Sequence, residues 1–356
     1  MLEKYFQQKK ESLVGIDISS SSVKVLQLEK IGSQYAVKGY GVDLLPANVV
    51  VEKNIKDVDA LGQIIQKTME RAHLETKNAA IAVAGTAVIS QVIQVDAGLS
   101  PSEMEDQIYI EADRYIPYAL DDVNLDFEVL GPSVVGPDVV DVLLAAAKHE
   151  VVDLRVAAIN AAGLTAKIVD IESLAVERAF GLLANQLPKG ETRQNCALID
   201  IGSTVTTLHV LRNLRTIYNR EQAFGGKQLL EEIQRRYGLT LEESASINIY
   251  EGLPDDFAPE VLQPFKESVV QQVNRALQFF FSSGEHQEID YIVLSGGVAS
   301  LIGLDELIQK KIGKKTFVAN PFADMIIPPT INQTHLIKDS PGMLVCCGLA
   351  LRTFDK

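Results

Sequence analysis

Cysteine is scarce in this chain of 356 residues: Cys196, Cys346 and Cys347 are all it has. They lie in apolar strand or helix patterns, with no spacing for a metal or a disulfide framework. They read as core thiols of a reducing compartment, which excludes a zinc module and a disulfide-stapled secreted domain. Positive charge is also short. The 33 Lys and Arg against 47 Asp and Glu leave a net charge of −14. That balance argues against nucleic acid as a partner and against adhesion to anionic lipid, and no run of Lys or Arg makes a local exception. Nor is there an apolar run suited to a membrane. Residues 1–10 lack the apolar stretch of a secretory signal, and Leu13 already opens a strand pattern. No charge falls between Lys77 and Asp96, but Asn78, Gly85, Thr86, Ser90, Gln91 and Gln94 lie there. That much polarity fits two strands around Gly85-Thr86, not a transmembrane helix. Low-complexity tracts are missing too. The expectation is a cytoplasmic protein without direct membrane insertion, any membrane association coming through a partner.

What is present begins with size. At 356 residues, 47% of them hydrophobic, the chain fits two domains with sizeable cores. One phrase occurs twice, about half the chain apart: Gly15-Ile16-Asp17-Ile18-Ser19-Ser20-Ser21-Ser22 and Leu198-Ile199-Asp200-Ile201-Gly202-Ser203-Thr204-Val205. Each copy is an apolar run ending in a lone Asp, then a small-residue turn, then a β-rich run. Small residues let backbone approach a ligand closely, and consecutive turn N–H groups form a nest for phosphate oxygens. An Asp facing that nest can hold a phosphate-bound Mg²⁺ through water. A third element follows in order. The strand pattern Tyr291-Ile292-Val293-Leu294 runs into Ser295-Gly296-Gly297-Val298, ahead of an apolar-periodic helix with Leu304, Leu307 and Ile308. Phe224-Gly225-Gly226-Lys227 adds a Gly-Gly turn into a helix N-terminus, a geometry that also favours phosphate.

This ordered set resembles the actin-like ATPase superfamily: phosphate turn one at 17–24, a connecting helix from Glu172, phosphate turn two at 200–206, an adenosine turn at 295–299, and a closing helix after Pro341-Gly342. The resemblance implies an α/β fold of two actin-like domains built on duplicated ribonuclease H-like cores. Within that superfamily the chain resembles the PilM family of the type IV pilus inner-membrane platform. That likeness rests on residues 13–24, on Val51-Glu52-Lys53-Asn54-Ile55, on Ile110-Glu111-Ala112-Asp113-Arg114-Tyr115-Ile116-Pro117-Tyr118 and on Asn320-Pro321-Phe322. The organisation follows. Residues 1–87 and 167–194 form the first domain, interrupted by an inserted α+β subdomain of the FtsA/PilM type at 88–166. Residues 195–356 form the second domain, with a helical subdomain at 225–288.

The superfamily pattern implies roles. Asp17 and Asp200 hold hydrated Mg²⁺. Ser19, Ser20, Ser21 and Lys24 bind the phosphates of ATP from turn one, and Gly202, Ser203, Thr204 and Thr206 from turn two. Gly296, Gly297 and Val298 face adenosine, with Gly225 and Gly226 beneath the ribose or phosphates. Glu172 has the spacing of the residue that orients the attacking water in the heat-shock chaperone branch. Turn two, however, carries Ser203 and Thr207 where the chaperone and actin branches carry further acidic or imidazole groups. Fewer charged groups around the water predict slow turnover, so ATP would act chiefly as a conformational ligand.

The PilM likeness implies a partner as well: the N-terminal cytoplasmic peptide of PilN, with the pilus platform protein and the assembly and retraction ATPases as further contacts. Tyr115, Ile116, Pro117 and Tyr118 sit where a helix must stop, because Pro disfavours helical geometry in the preceding residue. They would form an apolar ledge with polar tips for that peptide, or ordinary packing at a helix end. Two other functions fit the fold. An FtsA-like polymerising division protein would end in a linker and an amphipathic membrane helix, whereas residues 352–356 follow directly on the closing helix. A kinase-like enzyme would need a polar carbohydrate pocket and an Asp base, and neither is visible.

Overall fold

A computed structural model describes residues 12–187, 195–240, 243–244, 251, 253–284 and 288–355. The expected polar link at 187–192 and part of the helical run after Gly226 therefore lie largely outside the described residues. The first domain opens with β1 (Leu13–Ile18), β2 (Ser22–Ile31) and β3 (Gln34–Leu44), followed by the short ribbon β4 (Val50–Val51) and β5 (Asn54–Ile55). Helix α1 (Val58–Arg71) starts where the Asp57 carboxylate accepts from the Ala60 N–H at 2.9 Å, satisfying one of the orphan donors of a first turn. Strand β6 (Asn78–Val83) leads to β7 (Val88–Asp96), α2 (Pro101–Tyr115), β8 (Val123–Pro132), β9 (Val139–Lys148) and α3 (His149–Ala161). Helix α2 begins in a capping box between Ser100 and Glu103, with Pro101 in its first turn. Strand β10 (Thr165–Ile171) and α4 (Glu172–Phe180) complete this half.

The second half repeats the plan with β11 (Asn195–Ile201), β12 (Thr206–Arg212), β13 (Arg215–Gln222), α5 (Lys227–Tyr237), α6 (Gln263–Ser282), β14 (Tyr291–Ser295), α7 (Leu304–Ile312), β15 (Lys315–Val318), α8 (Gln333–Asp339) and α9 (Leu344–Leu351). Each half holds a five-stranded mixed sheet, ordered β10-β6-β1-β2-β3 in one and β15-β14-β11-β12-β13 in the other. In both, the three leading strands form an antiparallel meander, and the other two extend it in parallel from the first strand. The two orders superpose strand for strand. The repeated Asp-turn phrase is thus the outward sign of a duplicated topology.

Strand alternation sorts side chains between layers. Val14, Ile16, Val23 and Val25 face a core closed by α1 and α3, with Leu61, Ile65, Ala158 and Ile159 buried in it. Ala197, Ile199, Leu208 and Val210 face a second core under α5, α6 and α7, where Ile233, Val273, Phe280 and Ile308 are buried. The opposite faces of both sheets meet in one shared layer. Leu26 and Leu28 from the first sheet and Leu198 and Val293 from the second pack with Val176, Phe180, Leu344, Cys346 and Cys347 of α4 and α9. At Gly348 the two helices approach so closely that a Cβ would overlap the Ala175 carbonyl oxygen. All three cysteines are buried and unpaired, as their apolar surroundings lead one to expect.

The β7-β9-β8 sheet and α2 have a core of their own, built from Ile93, Val95, Ile108, Ala112, Val142 and Leu144. Helix α3 lies within the expected insertion, yet Ala158 and Ile159 are buried in the core of the first sheet. The reason is α3's apolar face, which meets α1, β10 and β6 more extensively than it meets β8 and β9.

Candidate functional site

Strand β1 of one sheet and the parallel pair β11 and β14 of the other run into turns that meet, with the Ser20 and Thr204 hydroxyls 3.4 Å apart and Gly296 against the Ile201 carbonyl. That is where ligands enter open α/β sheets, because unpaired backbone groups and the helix starts converge there. In turn one, Asp17 and Lys24 are directly opposed across the β1–β2 ladder. The Lys24 Nζ donates to Asp17 Oδ2 at 2.7 Å, with both side chains nearly buried. Burial alone pulls the Lys24 ammonium down, but Asp17, with Asp200 adding to it, holds the group above its usual value. Lys24 is therefore a fixed positive charge, paired with Asp17 of its own half and held in place also by the field of Asp200.

The serines of turn one divide their tasks. The Ser19 hydroxyl donates to the Ser22 carbonyl at 3.0 Å and accepts from the Ser22 N–H at 3.1 Å, so it shapes the turn. Ser20 is half-buried, and its hydroxyl lies 3.4 Å from the Thr204 hydroxyl of turn two. The Ser21 carbonyl accepts from the Leu45 N–H at 2.8 Å.

In turn two, Asp200 Oδ2 accepts from the Ser295 hydroxyl at 3.0 Å. Burial raises the Asp200 carboxyl above its ordinary value, partly offset by Lys24. The Gly202 carbonyl accepts from the Gly226 N–H at 3.0 Å, and the Ser203 carbonyl from the Lys227 N–H at 2.8 Å. The start of α5 is thereby laced to turn two. Thr206 takes part in that lacing rather than lining the cleft: it is 1% exposed and donates to the Phe224 carbonyl at 2.9 Å. Strand alternation turns it inward, while Thr207, opposite Asp200, faces the cleft side.

The third turn closes the group. Gly296 sits at φ 84°, where a Cβ would overlap the Ile201 carbonyl, so only glycine fits. Its N–H donates to the Pro341 carbonyl at 2.8 Å, tying the turn to the loop before α9. Gly297 is exposed, with open space where a Cβ would be. Val298 points the other way and packs in the core of the second domain, so a ligand could meet its backbone but not its side chain.

Glu172 stands at the first position of α4, and its Oε2 accepts from the Lys53 Nζ at 2.8 Å. Burial raises the Glu172 carboxyl, with Lys53 opposing that shift and Asp17 adding to it. The neighbouring Asp170 is directed elsewhere, to Arg178 at 2.9 Å. Lys53 was not apparent as a site residue from sequence, although it lies in one of the stretches that carry the PilM likeness. It also reaches Glu221 Oε1 of β13 at 3.2 Å, its N–H donates to the Ser20 hydroxyl at 3.3 Å, and its carbonyl accepts from Arg155 Nη2 at 3.1 Å. Glu52 and Lys53 occupy the β4–β5 turn at φ 50° and 63°. That left-handed pair costs non-glycine residues roughly 1–2 kcal/mol each.

Two carboxylates, one lysine and two small-residue turns suit ATP with Mg²⁺. Mg²⁺ keeps most of its waters and takes one or two carboxylates beside phosphate oxygens. No cluster of three or more His, Cys, Asp or Glu suited to a metal ion occurs among the described residues.

The expected partner ledge on the inserted module is partly redrawn. Tyr115 and Tyr118 are 46% and 42% exposed, and Pro117 is exposed beside them. Ile116 is 4% exposed and packs in the module's core, because the chain leaves α2 with that side chain turned inward. Lys148 Nζ sits 4.1 Å above the Tyr118 ring. The ledge is thus two tyrosines and a proline, without the isoleucine.

Residues 15–354 match the family described as type IV pilus assembly protein PilM. The chain belongs to the PilM family. Among solved structures, a PilM-PilN type IV pilus biogenesis complex shares 27% identity at a TM-score of 0.79, covering 98% of this chain and 100% of that one. The ethanolamine utilization protein EutJ from Carboxydothermus hydrogenoformans shares the fold alone, at 16% identity and a TM-score of 0.52 over 95% of this chain and 88% of that one. The fold is the actin-like ATPase fold expected from the repeated turns. No helix among the described residues is long and apolar enough to cross a membrane.

Proposed function

We propose that this PilM-family protein is an ATP-binding scaffold of the type IV pilus assembly platform, which takes the N-terminal cytoplasmic peptide of a PilN-type inner-membrane protein. The observation that carries the partner is the likeness, over 98% of the chain, to a structure of a PilM-PilN complex. The observation that carries the nucleotide is the meeting of turns one and two through Ser20 and Thr204, with the Lys24–Asp17 pair beside them. In this reading the protein works in the cytoplasm and reaches the inner membrane through its partners. It links the platform protein to the assembly and retraction ATPases.

Asp17 and Asp200 would hold the hydrated Mg²⁺ and Lys24 the β- and γ-phosphates. Ser20, Ser203 and Thr204 would add hydroxyl contacts, and Gly296 and Gly297 a bare backbone surface for adenosine. Bound ATP and Mg²⁺ supply a compact, strongly charged ligand that joins two domains; Lys24 and the two turns orient it. Glu172 is held by Lys53, so a water-orienting role would require it to leave an ion pair. That favours binding over fast hydrolysis.

One preparation tests both halves of the reading. ATP with Mg²⁺ should raise thermal stability, by about 2.7 kcal/mol at a hundredfold excess over Kd. Asp17→Ala and Asp200→Ala should each remove most of that gain while remaining folded without ligand. Titration with a synthetic PilN N-terminal peptide should give micromolar binding, ~−8 kcal/mol. No ATP-dependent shift in the wild type refutes the nucleotide, and no peptide binding refutes the partner.

A further inference from the structure

Lys53 joins the two domains by charge, as the more exposed Arg215–Glu177 pair at 3.1 Å also does. Lys53 belongs to the first domain, yet its ammonium lies between Glu172 of that domain at 2.8 Å and Glu221 of the second at 3.2 Å. All three side chains are no more than 21% exposed. Solvent therefore screens them less than a surface pair. If the cleft widens, Lys53 keeps Glu172 and loses Glu221, so the second contact exists only in the closed arrangement. The backbone beneath is an independent observation. Glu52 and Lys53 form a two-residue turn with both φ values positive, a conformation usually left to Asn and Gly. A strained turn of this kind persists only where its surroundings over-determine it, and it commonly marks a functional position.

The surroundings do so here. Arg155 of α3 is 3% exposed, and its guanidinium donates to three carbonyls: Lys53 at 3.1 Å, Ala82 at 3.0 Å and Val151 at 3.2 Å. Ala82 lies just before the chain enters the three-stranded module, and α3 begins where the chain leaves it. Arg155 thus binds both connections of the module to the turn that carries Lys53. That turn in turn meets Ser20 of the first phosphate turn.

We propose that Lys53 is an interdomain clasp: it holds the cleft closed by bridging Glu172 and Glu221, and Arg155 straps it to the two connections of the inserted module. A displacement of the module at those connections is then felt at the cleft as a change in Lys53, without contact between module and nucleotide. The clasp adds to the ATP reading but does not depend on it.

The test uses the full chain without nucleotide, so its outcome is separate from whether ATP binds. Spin labels are placed through Lys67→Cys on α1 and Lys310→Cys on α7, both exposed and on opposite domains, while the native cysteines are buried. The expected result is one narrow distance distribution in the parent. Lys53→Met and Glu221→Ala should both shift it to longer distances, and Lys53→Arg should retain the parent distribution. Amide exchange in residues 19–24 and 202–206 should rise about tenfold in the two opening variants. Arg155→Lys, which cannot span three carbonyls, should open the cleft as well. Parent-like distances and exchange in folded Lys53→Met and Glu221→Ala would overturn the clasp. A parent-like Arg155→Lys beside an open Lys53→Met would overturn the strap.

Discussion

His209 gives the most direct physical test of the second domain. It lies on β12 opposite Leu198 of β11 and Asn219 of β13, on the same sheet face as Asp200 and Thr207. It is 5% exposed, and its Nδ1 has no hydrogen-bond partner among the described residues. Burial, with the Lys53 charge adding, pulls the imidazole down from 6.5 to about 4. A histidine whose folded value is depressed contributes stability that is fully present above 6.5 and is lost as the pH falls toward the folded value. The whole gap corresponds to about 3 kcal/mol, of which about 2 kcal/mol should be gone at pH 5. The perturbation is His209→Gln, which keeps a polar side chain and does not titrate. Burial raises the Glu172 and Asp200 carboxyls, which acts with the opposite sign as pH falls. Both proteins share those groups, so the difference between them isolates the histidine. Urea unfolding of both proteins at pH 7.5, 6.5, 5.5 and 5 is the assay. The wild type should lose about 2 kcal/mol more than the variant over that range. Parallel stability curves would refute the account, and would place a proton acceptor or water against Nδ1.

Three further outcomes follow from particular contacts. Gly348→Ala must push α4 from α9 at the Ala175 carbonyl, and should cost at least ~2 kcal/mol in denaturant unfolding; a neutral result would mean that the shared layer yields. Steady-state ATP hydrolysis should stay below ~0.1 s⁻¹, under the 1–100 s⁻¹ typical of kinases, with Glu172→Gln still binding ATP; fast turnover sensitive to Lys24 and Glu172 would argue for an enzyme. Tyr115→Ala and Tyr118→Ala should each weaken PilN-peptide binding several-fold while leaving ATP-dependent stabilisation intact, and unchanged affinity in both would move the peptide site elsewhere.

The repeat of an Asp followed by a small-residue turn is legible because its chemistry lies in the phrase itself, which occurs twice. The turn at 19–22, the turn at 202–205 and the Gly-Gly after β14 need no knowledge of distant residues to be recognised, and the two sheets followed from their order. Facing was less legible. Thr206 and Ile116 each stand one position from residues that do face the cleft or the surface, and sequence spacing alone leaves the choice of side to packing that lies elsewhere in the chain. Helix α3 read as part of the insertion because nothing in its own residues names the core it joins. The role of Lys53 is hidden in the sequence for a related reason. Its partners lie 119 and 168 residues away, and a Glu-Lys pair in a two-residue turn carries no motif.

The layer shared by the two sheets also governs how this chain can come into being. Gly15 of the first strand packs against Ala350 so closely that a Cβ would meet the Ala350 backbone nitrogen at 2.5 Å. Until residues 344–351 have been synthesised, the face of the first sheet that carries Leu26 and Leu28 has only α4, with Val176 and Phe180, to cover it. The earlier half of the chain therefore cannot finish folding on the ribosome by itself, in contrast to the usual N-terminal-first order of multidomain proteins. It must wait, apolar face partly open, for a helix from the far end of the chain, and in that interval chaperone occupancy and misassembly compete for the same surface.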